Sequence, residues 1–385
     1  MSYFKLANLN IFFDVNNFKI IRNNNYDKSY ICESLYEKLS SVKYLIEGYS
    51  KQWNEFKKYT NTYEFINTPI QNNKYISKYR PISRAYFKMI EIIEVFNIFS
   101  EYKYKLNSFH LAEGPGGFIE AFANKRNNKN DKYYGITLID EKNKKIPGWK
   151  CNKLLSKYKN ISIEKGITNN GDLYSYDNLV YFIRNFKNKI DIITGDGGFD
   201  FSVDFDKQEC MAGKLIFSQF IYAINMLKEN GIFILKLFDT FNKFTLDIIY
   251  LCNCFFKHTY IYKPNTSRLA NSERYLVCKD FKKINSKLIE KLNLIYKGIM
   301  INDNKIYSFY NYDFNNIFIN KIEEISCILG EQQIQNIIKT IMLIIRNNVD
   351  SLEKMKEQNK LLCIEWCKKY NIEYHNIKNK NIFHN

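Results

Sequence analysis

Residues 109–122 read FHLAEGPGGFIEAF, an apolar run that breaks into three glycines and a proline and then resumes at helical spacing. This is the pattern of a strand, a tight turn and a helix, with the turn bringing backbone close to a ligand. Helix N-termini favour anions through their free N–H groups and the positive end of the dipole, so phosphate is the usual cargo of such a turn. The residue that opens this turn is Glu113, however, and a carboxylate there repels phosphate. The turn is therefore expected to hold a ligand that is not anionic at that point.

Working outward, a helix is expected over SRAYFKMIEIIEVFNIF (83–99), capped by Ser83. A short strand follows the glycine turn at YYGITLI (133–139), and residues 140–180 read as polar and irregular. KIDIITGDGGF (189–199) is a buried-strand run that ends in Asp196. MAGKLIFSQFIYAINMLKENG (211–231) is helical, with Gly231 as its C-cap, and it feeds the strand IFILKLF (232–238). A helix over about 240–256 leads into two last strands, HTYIYKP (258–264) and SERYLVCKDF (272–281). Short continuous apolar strands alternating with helices predict an α/β fold: a mostly parallel sheet with an antiparallel closing hairpin and helices on both faces. Residues 1–73 read as an N-terminal extension, 74–283 as the α/β domain, and 284–385 as a helical appendage without strand runs.

Composition narrows the partners. The 385 residues carry 57 Lys and Arg against 40 Asp and Glu, a formal charge of +17, which favours a polyanion, nucleic acid before membrane. An AT-rich coding bias toward Lys, Asn, Ile and Tyr accounts for part of that excess. Nine Cys without paired C-x-x-C spacing and only four His give no zinc pattern; Cys252 with Cys254, and Cys363 with Cys367, read as reduced packing residues. No metal is expected. The start carries charge and Asn within its apolar run, so it does not read as a signal peptide. No uncharged run of 18 apolar residues occurs, and a soluble intracellular protein is expected, with nucleus, cytoplasm and viral factory or virion left open.

Open α/β sheets bind ligands beyond the carboxyl ends of their strands. Glu113, Asp196, Lys236 and Glu273 all fall at or beside such ends. A lysine inside FILKLF is costly to bury alone. Taken singly, Lys236 reads as a snorkelling side chain or a structural partner of Asp196; beside neighbouring carboxylates it becomes a site candidate.

Five segments, SRAYFKMIEI, FHLAEGPGGFIEAF, DIITGDGGF, GIFILKLFDTF and KPNTSRLANSERYLVCKDF, occur in order over roughly residues 76–282. Together they resemble the FtsJ-like ribose 2′-O-methyltransferases, and within them the eukaryotic and viral mRNA cap 2′-O-methyltransferases. The resemblance implies a Rossmann-like sheet that binds S-adenosylmethionine (SAM) at its first strand–loop–helix. Glu113, Gly114, Pro115, Gly116, Gly117 and Phe118 would admit the methionine end, whose ammonium suits an acidic residue.

The family's Lys-Asp-Lys-Glu tetrad matches Lys88, Asp196, Lys236 and Glu273. A free lysine titrates near about 10.4 and is no base at neutral pH. Two buried lysines side by side should lower the pKa of one, with the carboxylates orienting them. Lys236 is expected to deprotonate or steer the 2′-hydroxyl. Asp140 and Asp172 are candidates for the cofactor's ribose and adenine, or else loop residues. Arg268 is a candidate phosphate contact; Asn271 and Ser272 are candidates for the acceptor nucleotide or for a turn. The implied partners are capped mRNA and other capping or transcription proteins. Methylation of ribosomal or transfer RNA, or a non-catalytic RNA-binding role, are the alternatives.

Overall fold

The computed structural model describes residues 3–9, 11–70, 74–140, 142–143, 146–198, 207–301 and 305–375. The end of the expected C-terminal region, 376–385, and Phe199 of the GDGGF segment lie outside them. The N-terminal part contains β1 (Phe4–Lys5), β2 (Phe18–Arg22), α1 (Glu33–Tyr44) and α2 (Ser50–Thr60). Then come α3 (Ala85–Val95), β3 (Asn107–Leu111), α4 (Gly117–Arg126), β4 (Lys132–Ile136), α5 (Asn152–Lys157), β5 (Ile161–Glu164) and α6 (Tyr176–Phe186). The second half of the domain is β6 (Ile190–Gly195), α7 (Gln208–Met226), β7 (Leu227–Leu237), α8 (Lys243–Phe255), β8 (Phe256–Tyr262) and β9 (Arg274–Phe281). The chain continues through α9 (Ser286–Ile301), β10 (Ile306–Tyr310), α10 (Asn316–Arg346) and α11 (Val349–Lys369).

Eight strands form one sheet in the order β1-β8-β9-β7-β6-β3-β4-β5. Pairing is parallel from β5 through β7 and antiparallel at β9, the mostly parallel sheet with a closing hairpin that the strand pattern predicts. Alternation along the central strands separates two cores. Phe233 and Leu235 of β7 join Phe109, Ile193 and Leu276 under α6, α7 and α8. Ile232 and Ile234 join Ile192, Tyr275 and Val277 under α3, α4 and α11. Both faces are thus covered, and the central strands can be apolar throughout. No helix of the described residues is long and apolar enough to cross a membrane.

Several local expectations need correction. The 140–180 stretch holds β5 and the amphipathic α6, whose Leu179 and Phe182 are buried and whose Ser175 caps Asn178 N–H at 3.2 Å. The helix before β7 ends at Met226, so Gly231 is not its cap; it lies within β7, and Asn230 takes the left-handed conformation (φ 62°). The polar KEN run concealed that switch. Ser83 caps nothing. The residue preceding α3 is Arg84, and the buried Ser83 Oγ has no partner. Residues 284–385 do contain a strand: β10 pairs antiparallel with β2. Five residues whose only strand partner is so remote in sequence carry little local signal.

The flanks are built into the sheet. β1 pairs with β8 at its edge, Phe4 opposite Ile261. Trp366 of α11 packs edge-on to Phe87 of α3, ring centroids 5.8 Å apart.

On β3, opposite Thr194 of β6, stands a buried polar residue, His110, with Ser108 Oγ and Thr194 Oγ1 each 2.8 Å from its ring nitrogens. Burial pushes its pKa down to about 3 from the ordinary 6.5. The folded state therefore binds the neutral ring, and this contribution to stability is complete above the unfolded pKa and lost as pH falls from 6.5 toward 3. Between pH 7 and pH 5 the loss is about 2 kcal/mol. Denaturant titrations of wild type and His110→Gln at both pH values should show that much less acid sensitivity in the variant; equal sensitivity would refute the assignment.

Candidate active site

Glu113 answers the question its position raises. Its backbone N–H donates to Ile136 carbonyl at 3.0 Å, which fixes the loop to the end of β4. Its Oε1 accepts from the N–H groups of Phe118 (2.7 Å) and Ile119 (2.9 Å), in the first turn of α4. The carboxylate thus occupies the anion position of the helix N-terminus itself, which excludes phosphate there. Its Oε2 is buried and has no protein partner. Burial pushes the carboxyl up to about 8; the Ile119 and Phe118 amides and Lys236 pull it down, and Asp196 adds to the rise.

The glycines are required by close approach. A Cβ on Gly114 would lie 2.7 Å from Thr137 Oγ1 and 2.8 Å from Gly148 carbonyl. Gly116 has φ +120°, where side chains are strained. Pro115 carbonyl accepts from Lys150 N–H at 3.1 Å, and Gly117 abuts Ser83 at the entry to α3. Phe118 points into the core, its ring 5.9 Å from that of Tyr275.

Strand register assembles the tetrad. Gly195 of β6 lies opposite Leu235 of β7, so the next residues, Asp196 and Lys236, emerge side by side. Lys236 lies opposite Tyr275 of β9 and Leu237 opposite Arg274, so Glu273 stands just past the end of that pairing. α3 crosses the same edge and supplies Lys88. Lys88 Nζ is 2.7 Å from Glu273 Oε1 and 2.8 Å from Oε2. Lys236 Nζ donates to Asp196 carbonyl at 2.7 Å and is 3.3 Å from Asp196 Oδ1. Burial alone would raise the Glu273 carboxyl, but Lys88 and Lys236 outweigh it and hold the group well below the carboxylate range. All four side chains are 10–16% exposed, so each keeps a little access to solvent.

Sequence reasoning missed the residues that hold these four. Tyr275 OH donates to Asp196 Oδ1 at 2.9 Å, and Ser267 Oγ donates to Glu273 Oε1 at 2.5 Å. Lys263, buried and lowered to about 7 chiefly by burial, donates to the carbonyls of Asn271 (2.6 Å) and Glu273 (2.9 Å). Glu91, one helical turn beyond Lys88, accepts from the N–H groups of Asn265 and Thr266, both at 2.8 Å. Tyr275 stands two residues after the tetrad glutamate and lies opposite Lys236 in the β7–β9 pairing, a signal that register alone supplies.

The other candidates separate. Asp140 is exposed, and its Oδ1 accepts from its own turn at Lys142 N–H (3.0 Å) and Asn143 N–H (3.3 Å). Asp172 is half-buried; its Oδ1 accepts from Tyr174 N–H at 2.8 Å. Their two loops meet where Ile139 N–H donates to Asn170 carbonyl at 2.7 Å, beside the end of β4 that Gly114 touches. Arg268 grips Glu64 with Nε (3.0 Å) and Nη2 (2.5 Å). Asn271 binds Lys263, and the buried Ser272 Oγ donates to Gln208 Oε1 at 2.9 Å.

A glycine loop at the first central strand, acidic residues along the adjoining strand end and a lysine–carboxylate tetrad at the next ends define a SAM-dependent methyltransferase. The residues present fit that cofactor: a buried acidic oxygen lacks a partner, and glycines line the loop beside it. The family model of FtsJ-like methyltransferases matches residues 81–281, more than half of the chain, and the chain belongs to that family. A cap-specific mRNA (nucleoside-2′-O-)-methyltransferase 2 of Drosophila melanogaster is 28% identical over 266 residues, covering 65% of this chain and 37% of its own. The corresponding protein of Danio rerio is 26% identical over 319 residues, covering 76% and 41%. A cap-specific mRNA (nucleoside-2′-O-)-methyltransferase 1 of Homo sapiens is 34% identical over 180 residues, covering 45% and 21%. The match thus spans about a fifth to two fifths of these relatives' length.

Proposed function

We propose that the chain methylates the ribose 2′-hydroxyl of RNA, with the first transcribed nucleotide of capped mRNA as acceptor. The observation that carries this reading is the tetrad, two lysine–carboxylate pairs that strand register brings to neighbouring strand ends beside the glycine loop. The relatives named for cap-specific mRNA support the choice of acceptor. SAM supplies an activated methyl group on a sulfonium. Glu113 Oε2 would take the ammonium at the methionine end, and Asp172 and Asp140 would serve the ribose and adenine side. Ammonium Nζ has three donor positions. Asp196 engages Lys236 through its carbonyl and carboxylate, and the remaining position meets the hydroxyl, which an ammonium would steer by donating to it and which a neutral amine, with its lone pair there, would relieve of its proton. Lys88 and Glu273, paired beside them, would help hold the ribose so that its hydroxyl is positioned for the transfer. Arg268 meets a phosphate, and Asn271 and Ser272 shape the loop that carries Glu273.

The experiment is a methyl-transfer assay on short RNAs that differ only in cap and in the first ribose. Transfer to capped RNA, abolished by a 2′-deoxy first nucleotide, is expected. Equal transfer to uncapped RNA would overturn the cap assignment, and transfer to the deoxy substrate would overturn the ribose assignment.

A further inference from the structure

We infer that Lys57, Arg84 and Arg268 form a binding subsite for one RNA phosphodiester next to the acceptor ribose, with a lysine of the N-terminal region as a constituent. The inference rests on the RNA reading above. Glu64, 4% exposed, organises the cluster. It takes Arg268 Nε at 3.0 Å and Nη2 at 2.5 Å, Arg84 Nη1 at 3.4 Å and Thr68 Oγ1 at 3.0 Å. Arg84 also donates through Nη2 to Thr266 carbonyl at 3.0 Å.

The N-terminal region is joined to this loop directly. Asn61, one turn beyond Lys57, accepts from Leu269 N–H through Oδ1 at 3.0 Å. Glu64 is thus shared by Arg84 and Arg268, with Lys57 near enough to feel all three charges, and the cations outnumber the carboxylate that organises them. Burial, then Arg268, lowers Lys57 to about 8; Glu64 opposes this, while Arg84 and Lys58 add to it. Crowded cations of this kind are stabilised by an incoming anion.

Donors remain for that anion. Arg268 Nη1 and Arg84 Nε have no acceptor among the described residues, and Lys57 Nζ meets only Asn54 Oδ1, at 2.5 Å. The guanidinium side chains are about a third exposed, 34% for Arg84 and 31% for Arg268. The cluster also adjoins the chemistry. Arg84 stands one helical turn before Lys88, and Ser267, next to Arg268, bonds Glu273. A structural ion pair needs one cation for Glu64; the other two are explained by a phosphate.

The test uses the full chain and a short labelled single-stranded RNA, with binding read apart from turnover. Lys57→Ala should weaken RNA binding several-fold and lower the salt slope by about 0.7, the value for one neutralised phosphate on a single strand. SAM affinity and melting temperature should not change, and Lys57→Arg should restore binding. Uncharged methylphosphonate at one linkage near the acceptor should weaken wild-type binding and leave Lys57→Ala unaffected. Wild-type affinity and slope in Lys57→Ala, or equal methylphosphonate penalties in both proteins, would overturn the subsite. A wild-type chain that binds RNA with this pattern but transfers no methyl group would instead overturn the function proposed above, and the subsite would stand.

Discussion

Lys236→Ala should lose methyl transfer by about two or more orders of magnitude while keeping SAM binding, RNA binding and melting temperature close to wild type. The strand around it is anchored without it: Leu235 and Leu237 are fully buried on the opposite face, and the β7–β9 pairing uses backbone groups only. Removing Nζ frees Asp196, whose Oδ1 retains Tyr275 OH. Lys236→Arg should fail to rescue, because guanidinium stays protonated and is differently shaped. Asp196→Ala should also inactivate, since Lys236 then lies beside Lys88 with less counter-charge. A structural ion pair predicts otherwise: melting temperature and activity fall together, and arginine restores part of both. Single-turnover methylation and thermal melts on the same variants separate the two. Substantial transfer by a folded Lys236→Ala protein would refute the catalytic role.

The second large effect is on the cofactor. Glu113→Gln keeps the acceptor for the Phe118 and Ile119 amides but removes the charge from the buried oxygen that faces the ligand. A charge-assisted hydrogen bond contributes about 1.5–3 kcal/mol, so SAM affinity should fall about tenfold to a hundredfold. Its pH dependence is specific. With the free carboxyl raised to about 8, the proton must leave before Oε2 can accept from an ammonium. Affinity should therefore climb by up to about tenfold per pH unit toward pH 8. An α-amino group loses its own proton near about 8, so the climb turns into a fall above that. Glu113→Gln should abolish the rising limb only. Calorimetric titration across this range gives the result, and a wild-type affinity flat below pH 8 would sink the assignment. Glu113→Lys is a poorer variant, because it buries a cation against the amides of α4 and costs stability as well.

The strand and helix alternation, the glycine turn and the tetrad candidates Asp196, Lys236 and Glu273 are legible in the chain, whereas Lys88, on a helix, enters only through the family resemblance. The reason is local: a buried parallel strand must be continuously apolar, so a lysine in FILKLF and acids at the next strand ends stand out against it. The same locality hid β5, β10 and the true end of α7, whose strands gain their stability from distant partners and whose residues carry weak patterns of their own. Nor does it show how Glu113 is held: its burial and its two amide donors exist only once the first turn of α4 has formed beside the loop.

The flanks mark the division most clearly. From sequence, residues 1–73 are an extension and 284–385 an appendage. In the fold, Asn61 and Glu64 from one side and Gln333 from the other hold the loop that bears Glu273, through Leu269 N–H, Arg268 and Ala270 carbonyl. Trp366 Nε1, 3.0 Å from Glu91, ties α11 to the same loop. The sequence by itself determined the chemistry available, because residue type and spacing around strand ends are read within a few positions. Only the tertiary structure decided how that chemistry is held, because each brace joins residues 63 to 275 positions apart, and a hydrogen bond across that distance leaves no periodicity in either segment.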